Sequence, residues 1–217
     1  MWNKAKDAEL MTIKREEFLE TGFKLFSTKS IESVTLSEVA KEAGYGMATL
    51  YRYFDKKPGF VVAVATWKLN QFLESYKKRM PKKQEDLNSE NLFVFYLDSY
   101  IELYKKGKDL LRFLQYFSIY IKSNDFGPDI VKPYVELMNI IDGRYELLYK
   151  RAMKDHLMRT DVPVDEIFGT ISNVMLAAAT RYATGYVLKP ESTKVAVRRL
   201  EILKEAFMKL YLTKYQK

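Results

Sequence analysis

Apolar side chains along this chain recur at intervals of three and four, and runs of alternating β-branched residues are missing. That period places apolar residues on one face of a helix rather than one face of a strand. The pattern predicts an all-α fold of about nine helices, at roughly residues 11–29, 35–42, 46–53, 56–80, 88–105, 108–122, 128–157, 163–187 and 191–215. The breaks have local causes. "RMPKKQEDLNSEN" joins Pro81 to a polar run, which stops the fourth helix before Ser89 can cap the fifth. "KSNDFGPD" and "RTDVPVDE" set Pro beside Gly or Asp, and Lys189 with Pro190 separates the last two helices. The division expected is a small unit at 1–56 with a connecting helix at 56–80, followed by a larger helical unit at 81–217.

The second and third helices are short and carry specific signals. "TLSEVAKEAG" sets Thr35 three residues before Glu38, a capping box in which each side chain satisfies the other's backbone N–H. Ala43 and Gly44 follow, where a glycine permits the left-handed turn that ends a helix. Helix, glycine turn and helix make a helix-turn-helix. An element barely two turns long cannot hold itself together in water, so Leu50 and Phe54, four apart, are expected to face inward against Phe18, Phe23 and Phe26. Met47, Ala48, Thr49 and Tyr51 then face outward at the end that enters a DNA major groove in such motifs. Tyr53 and Lys57 flank them with a hydroxyl and an ammonium suited to phosphate oxygens. On residue pattern alone, Tyr51 and Tyr53 equally suit half-buried packing, and Lys56 a solvated position.

Composition narrows the class. The 217 residues are 47% hydrophobic and 29% charged, in the range of a folded globular chain. Cysteine is absent, which excludes disulfides and thiolate metal sites, and the opening "MWNKAKDAELMTIKREEF" lacks the apolar run of a signal peptide. The uncharged-to-apolar stretch around Ile167–Thr180 is shorter than the roughly 20 residues that span a bilayer. A cytoplasmic protein without a membrane partner is expected. The net charge of +8 suits an anionic partner, but its distribution is uneven. Residues 58–83 carry 6 basic and 1 acidic side chains and residues 189–217 carry 8 and 3, whereas residues 84–188 carry 12 and 15 and residues 1–57 carry 10 and 9.

Over residues 18–60, "FLETGFKLFSTKSIESVTLSEVAKEAGYGMATLYRYFDKKPGF" resembles the tetracycline-repressor (TetR) family of bacterial transcription regulators. Its first helix, "TLSEVAKEAG" and "TLYRYF" followed two residues later by a lysine stand in the family's order and spacing. The resemblance implies that Thr35 caps a helix directed at the phosphate backbone. It also implies DNA contact by Tyr45, Gly46, Met47, Ala48, Thr49 and Tyr51, with Tyr53 and Lys57 clamping phosphates. Gly46 stands where the family often has a capping Ser, although glycine remains an acceptable cap. Met47 replaces a frequent basic residue, Ser30 a usual Gly, and Gly22 a usual Ala, the last at a helix-propensity cost of about 1 kcal/mol.

The second half carries an aromatic stripe at helical spacing: Phe93, Tyr96, Tyr100, Tyr104, Phe113, Tyr116, Phe117 and Tyr120, with Tyr134, Met138, Tyr145, Tyr149, Met175 and Tyr182 from later helices. As a pattern it fits a core. Many tyrosine hydroxyls need partners, however, and a cavity supplies them; the resemblance implies that these residues line a small-molecule effector site. Asp98, Glu102 and Glu146 near that lining favour a neutral or cationic effector that is apolar or amphipathic. Ala177, Ala178, Ala179, Ala183 and Gly185 permit close helix approach, and Val195, Leu200, Ile202, Leu203, Phe207, Leu210 and Tyr211 give the last helix a broad apolar side. In the family such helices pair with their copies into a homodimer.

His156 is the only histidine, which excludes a histidine pair on a metal; a structural or solvated role is expected. No Gly-rich phosphate loop is present. No metal, cofactor or catalytic residue is expected. The sequence therefore points to a homodimeric, ligand-responsive regulator, a repressor on a palindromic operator in double-stranded DNA. The alternative is a helical small-molecule or protein-binding module whose DNA-binding head is inactive, as the near-neutral residues 1–57 would suit.

Overall fold

Each short helix begins and ends where its local chemistry demands. In the computed structural model, which describes residues 4–80, 83, 86–124, 126–185 and 192–216 with side chains from residue 9, the elements run α1 (Lys4–Phe26), α2 (Leu36–Glu42), α3 (Met47–Tyr51), α4 (Lys57–Lys77), α5 (Ser89–Lys106), α6 (Lys108–Ser123), α7 (Pro128–Asp155), α8 (Val164–Thr184) and α9 (Thr193–Tyr211), with a 3-10 turn over Thr213–Tyr215. The described residues form nine α-helices and no sheet, as the apolar period predicted. No helix among them is long and apolar enough to cross a membrane.

Several helix ends fall two to four residues from expectation, among them Phe26, Lys77 and Tyr211, and three boundaries have a clear local cause. Helix α1 reaches back to Lys4, although Leu10, Met11 and Ile13 on it are exposed; its first turns are helical through good helix formers such as Lys, Ala, Glu and Leu rather than through an apolar face. Asn88, not Ser89, caps α5, with its side-chain oxygen accepting the Asn91 N–H at 2.8 Å. Helix α3 stops at Tyr51, and Tyr53 and Phe54 both bond back to the Leu50 carbonyl. The break at Pro81, the Lys189–Pro190 break and the expected helix ends at 187 and 191 lie outside the described residues.

The chain forms two compact units, Met1–Gln71 with Arg112–Leu137, and Phe72–Leu111 with Met138–Lys217. In the first unit Phe18, Phe26, Phe60 and Phe113 are fully buried with Leu19, Ile31, Val34, Val39, Leu50 and Val64. The glycine at position 22 fits this core: a Cβ there would sit 2.5 Å from Cζ of Phe60. Phe60 is itself held edge-on by Phe54 at 4.7 Å and Phe26 at 5.9 Å.

In the second unit α5 packs against α8 and α9, with the buried Phe93 ring edge-on to Phe168 and Tyr211, each at 6.2 Å. Ser89 is fully buried, and its N–H and hydroxyl donate to the Asp155 carboxylate at 2.8 and 2.6 Å. These bonds tie the start of α5 to the end of α7. Burial raises the Asp155 pKa, but the hydrogen bonds from Ser89 and from the Leu157 N–H outweigh it and hold the carboxyl below its ordinary value. His156 ends α7 at φ 55°, exposed, with its carbonyl accepting the Thr213 hydroxyl at 2.9 Å. The lone histidine is a turn residue that anchors the C-terminal turn.

Two stability measurements follow. Gly22→Ala gains helix propensity of about 1 kcal/mol but overpacks an aromatic cluster that has nowhere to move, so a net loss of about 1–2 kcal/mol is expected by denaturant titration, relieved when combined with Phe60→Leu. Because the Asp155 pKa is lowered in the fold, its contribution is present above the unfolded value of about 3.9 and is lost as pH falls through the folded pKa. Asp155→Asn should therefore cost about 1–3 kcal/mol at pH 7, a difference that closes in acid.

Candidate nucleic-acid interface

The capping box forms as its sequence requires. The Thr35 N–H donates to Oε2 of Glu38 at 2.7 Å, and the Glu38 N–H donates to Oγ1 of Thr35 at 3.1 Å. The first of these bonds, with the Thr35 hydroxyl behind it, holds the Glu38 carboxyl below its ordinary pKa. Two residues past the end of α2, Gly44 has a φ of +79°, the left-handed conformation a glycine takes without strain. The following Tyr45 N–H reaches back to the Ala40 carbonyl at 2.8 Å, which closes the turn. Gly46 then caps α3 with extended backbone and no side-chain bond.

Helix α3 is fastened from inside. Leu50 is fully buried and Phe54 is 6% exposed. With these two residues inward, Tyr51 is 53% exposed and Gly46 and Ala48 also face solvent, while Met47 and Thr49 are half-buried. The expectation that Met47, Ala48, Thr49 and Tyr51 all project is thus met fully by Ala48 and Tyr51 and partly by the other two, because a five-residue helix packed over one side leaves only a narrow outer face.

Three expected contact residues are engaged within the unit. The Tyr45 hydroxyl donates to Oε2 of Glu17 at 2.5 Å, the bond that chiefly raises its phenol pKa, and its ring lies 5.1 Å from Phe18. Tyr53 is half-buried, its ring 5.9 Å from Phe18. Lys57 opens α4, and its ammonium donates to the Glu32 carbonyl at 3.2 Å. Partial burial lowers its pKa against the pull of Glu32 and Glu38.

An open groove of about 480 Å³ joins these elements, lined by Thr35, Leu36 and Ser37 of α2, Met47 and Tyr51 of α3, and Asp55, Lys56 and Lys57 before and at α4. The fold brings Thr35, Met47, Tyr51 and Lys57 together there, and leaves Tyr45, Gly46, Ala48, Thr49 and Tyr53 off its walls. Ser37 and Lys56 are the additions that sequence reasoning missed; Ser37 lies two residues beyond the cap, and Lys56 beside Lys57, so their neighbours were the available signal. Hydroxyls and ammoniums lining a concave strip beside an exposed helix face are the donors that phosphate oxygens take.

The aromatic stripe is distributed between the two units. Phe113, Tyr116, Phe117, Tyr120 and Tyr134 belong to the first, where Phe113 packs on Phe23 and Phe26, Phe117 on Tyr134 and Tyr120 on Phe126. Phe93, Tyr96, Tyr100, Tyr104, Met138, Tyr149, Met175 and Tyr182 belong to the second. There Met175 is core, Tyr104 packs edge-on to Tyr182 at 6.1 Å, and the Tyr149 hydroxyl donates to the Thr160 and Val162 carbonyls. Tyr96 lines a small, partly open cleft of about 50 Å³ with Tyr76, Phe95, Tyr145 and others. A wider recess of about 340 Å³ is lined by Tyr145, Phe168 and Ser172 with Asp142, Glu146 and Asp165. Of the carboxylates expected near the lining, Glu102 is paired with Arg79 and Lys106, and Asp98 with Lys204 at 2.5 Å; Glu146 lines the wider recess.

Residues 18–64 match the family model of bacterial regulatory proteins, tetR family. The chain is 30% identical over 125 residues to an HTH-type transcriptional regulator of Staphylococcus aureus (SAB2452), covering 54% of this chain and 67% of the relative. Its fold is similar to that of Bacillus subtilis FadR, solved in complex with stearoyl-CoA (TM-score 0.70, 12% identity, covering 88% of this chain and 96% of that one). It is also similar to a regulator from Saccharomonospora viridis solved in complex with choline (TM-score 0.69, 16% identity, covering 89% and 96%). The chain belongs to the tetR family of bacterial DNA-binding transcriptional regulators.

Proposed function

We propose that this regulator is a cytoplasmic repressor that binds a palindromic operator as a homodimer and leaves it when a small hydrophobic or amphipathic effector binds. The observation that carries the DNA part is the groove in which Thr35, Ser37, Tyr51, Lys56 and Lys57 converge beside the exposed face of α3. Thr35, Ser37 and the lysines contact phosphates, Ala48, Thr49 and Tyr51 meet base edges, and Met47 supplies an apolar contact. Residues 1–56 are the reading head, the helix over 56–80 the connection, and residues 81–217 the effector and dimer region.

Exposed apolar residues support pairing of two copies. Val174 and Leu176 on α8 and Val195, Ile202 and Leu210 on α9 are 36–48% exposed, and Ala177, next to Leu176, is exposed and small. Ala179 and Ala183 are buried within the chain itself, so they serve the core and the pairing face is built by their neighbours. Effector binding by similar folds, choline in one and stearoyl-CoA in another, supports a ligand response here. For release the effector must favour the conformation that does not bind DNA, and a 10-fold relief corresponds to about 1.4 kcal/mol of coupling.

Selecting fragments of the source genome with the purified protein tests the reading: a shared inverted repeat is expected, and random recovery would leave the head without a reading function. On a recovered site, Lys57→Ala should weaken binding alike for all sequences and lower the salt slope by about 1, whereas Tyr51→Ala should cost about 1–3 kcal/mol on the preferred site only. Ile202→Glu should give monomers by light scattering at micromolar concentration and remove specific binding, because heads on a two-fold site must lie about 34–36 Å apart.

A further inference from the structure

The turn into α3 runs Gly44–Tyr45–Gly46, so a single side chain has to fix it. Gly44 is in the left-handed region, and Gly46 caps α3 with no side-chain hydrogen bond and no acidic residue in the helix's first turn. Other helices here begin on a side-chain cap: Thr35 for α2, Asn88 for α5 and Ser192 for α9. Helix α3 is the shortest of these and the one whose first turn lacks that bond. Glycine on both sides of Tyr45 adds backbone freedom just where an uncapped helix is weakest.

Tyr45 is tied to α1 at three points. Its hydroxyl donates to Oε2 of Glu17 at 2.5 Å, its ring lies 5.1 Å from the fully buried Phe18, and the Lys14 ammonium sits over the ring at 5.7 Å. Its N–H is bonded to the Ala40 carbonyl as well, so backbone and side chain are both held. Tyr45 stands immediately before the cap, the position whose packing fixes the angle at which a chain enters a helix. A hydroxyl bonded to a carboxylate is stronger than a neutral pair. As a bare charge, the exposed Glu17 works against DNA, because phosphates repel it.

Resting on the reading of α3 as the helix that meets DNA, we infer that Glu17 is a positioning residue for it. The Glu17–Tyr45 latch takes the place of the missing cap at Gly46 and holds the first turn of α3, which carries Met47, Ala48 and Thr49, at the angle that reading bases requires.

Amide hydrogen exchange by NMR on the full-length protein without DNA reads the latch by itself. The Thr49 and Leu50 N–H groups bond to the Gly46 carbonyl at 3.0 and 3.4 Å. Both should exchange about 5-fold faster in Glu17→Ala and in Tyr45→Phe, with no further gain in the double variant. Glu17→Gln keeps an acceptor and should stay within about 2-fold of wild type. Adding Gly46→Ser to Glu17→Ala should restore protection, since a Cβ at position 46 meets nothing within 4 Å and the new hydroxyl accepts the Thr49 N–H. On the recovered operator, Glu17→Ala should bind about 5-fold more weakly, and Gly46→Ser should reverse the loss. A glutamate acting only as a charge gives the opposite sign, because its removal tightens binding. A merely structural one speeds exchange across α1 and α2 alike and is not rescued at position 46. Wild-type exchange at Thr49 and Leu50 in Glu17→Ala, tighter operator binding by that variant, or no rescue by Gly46→Ser each overturns the inference. Random genomic recovery beside the expected exchange pattern fails the regulator reading and not the latch.

Discussion

Burial of Leu50 and Phe54 is the constraint on which the first unit turns. A five-residue helix has almost no stability of its own, since its backbone bonds barely offset the cost of nucleation. Helix α3 exists because Leu50 is sealed and Phe54 is wedged against Phe60. Once those two side chains point inward, the 3.6-residue period leaves Ala48 and Tyr51 outside. Gly22 belongs to the same arrangement, because only a residue without a Cβ lets Phe60 approach α1 closely enough to brace Phe54. The outer surface proposed to meet DNA is thus set by the packing of the residues beneath it.

Local signals were legible in the sequence and long-range ones were not. Thr35 with Glu38, Gly44 after α2, and the inward pair Leu50 and Phe54 each rest on neighbours within a few positions, and each takes the expected role. Tyr45 is different: its bond to Glu17 joins residues 28 apart, and no spacing rule announces it. The same holds for Ser89, which caps nothing because Asp155, 66 residues away, takes its hydroxyl. Asp98 and Glu102 read as lining residues until tertiary contact supplies Lys204 and Arg79 as partners. The stripe over residues 93–120 runs through two helices and two compact units, so a single period hid a division that only the fold reveals.

The tyrosine-rich interior meets its own hydrogen-bonding demand. Tyr76 donates to the Phe95 carbonyl at 2.7 Å, Tyr149 to two carbonyls, and Tyr100, Tyr145 and Ser172 share one cluster. Among the described residues no buried side-chain polar atom lacks a partner. Burial first, then the Tyr100 phenol and Asp142, push the Tyr145 pKa well above its ordinary value, and burial raises that of Tyr100, so both stay protonated over the physiological range. The tyrosine hydroxyls therefore find their partners within the protein, and recesses adjoin the cluster around Tyr145.

The central claim is that the outer face of α3, held in place by Leu50 and Phe54, lies against DNA. Replacing Tyr51 by the photoreactive analogue p-benzoylphenylalanine and irradiating the protein on its recovered operator tests this directly, with the same analogue at the exposed Val174 as control. The account predicts adducts from position 51 at bases placed symmetrically in the two half-sites and none from position 174. Adducts from 174 with none from 51 would contradict it.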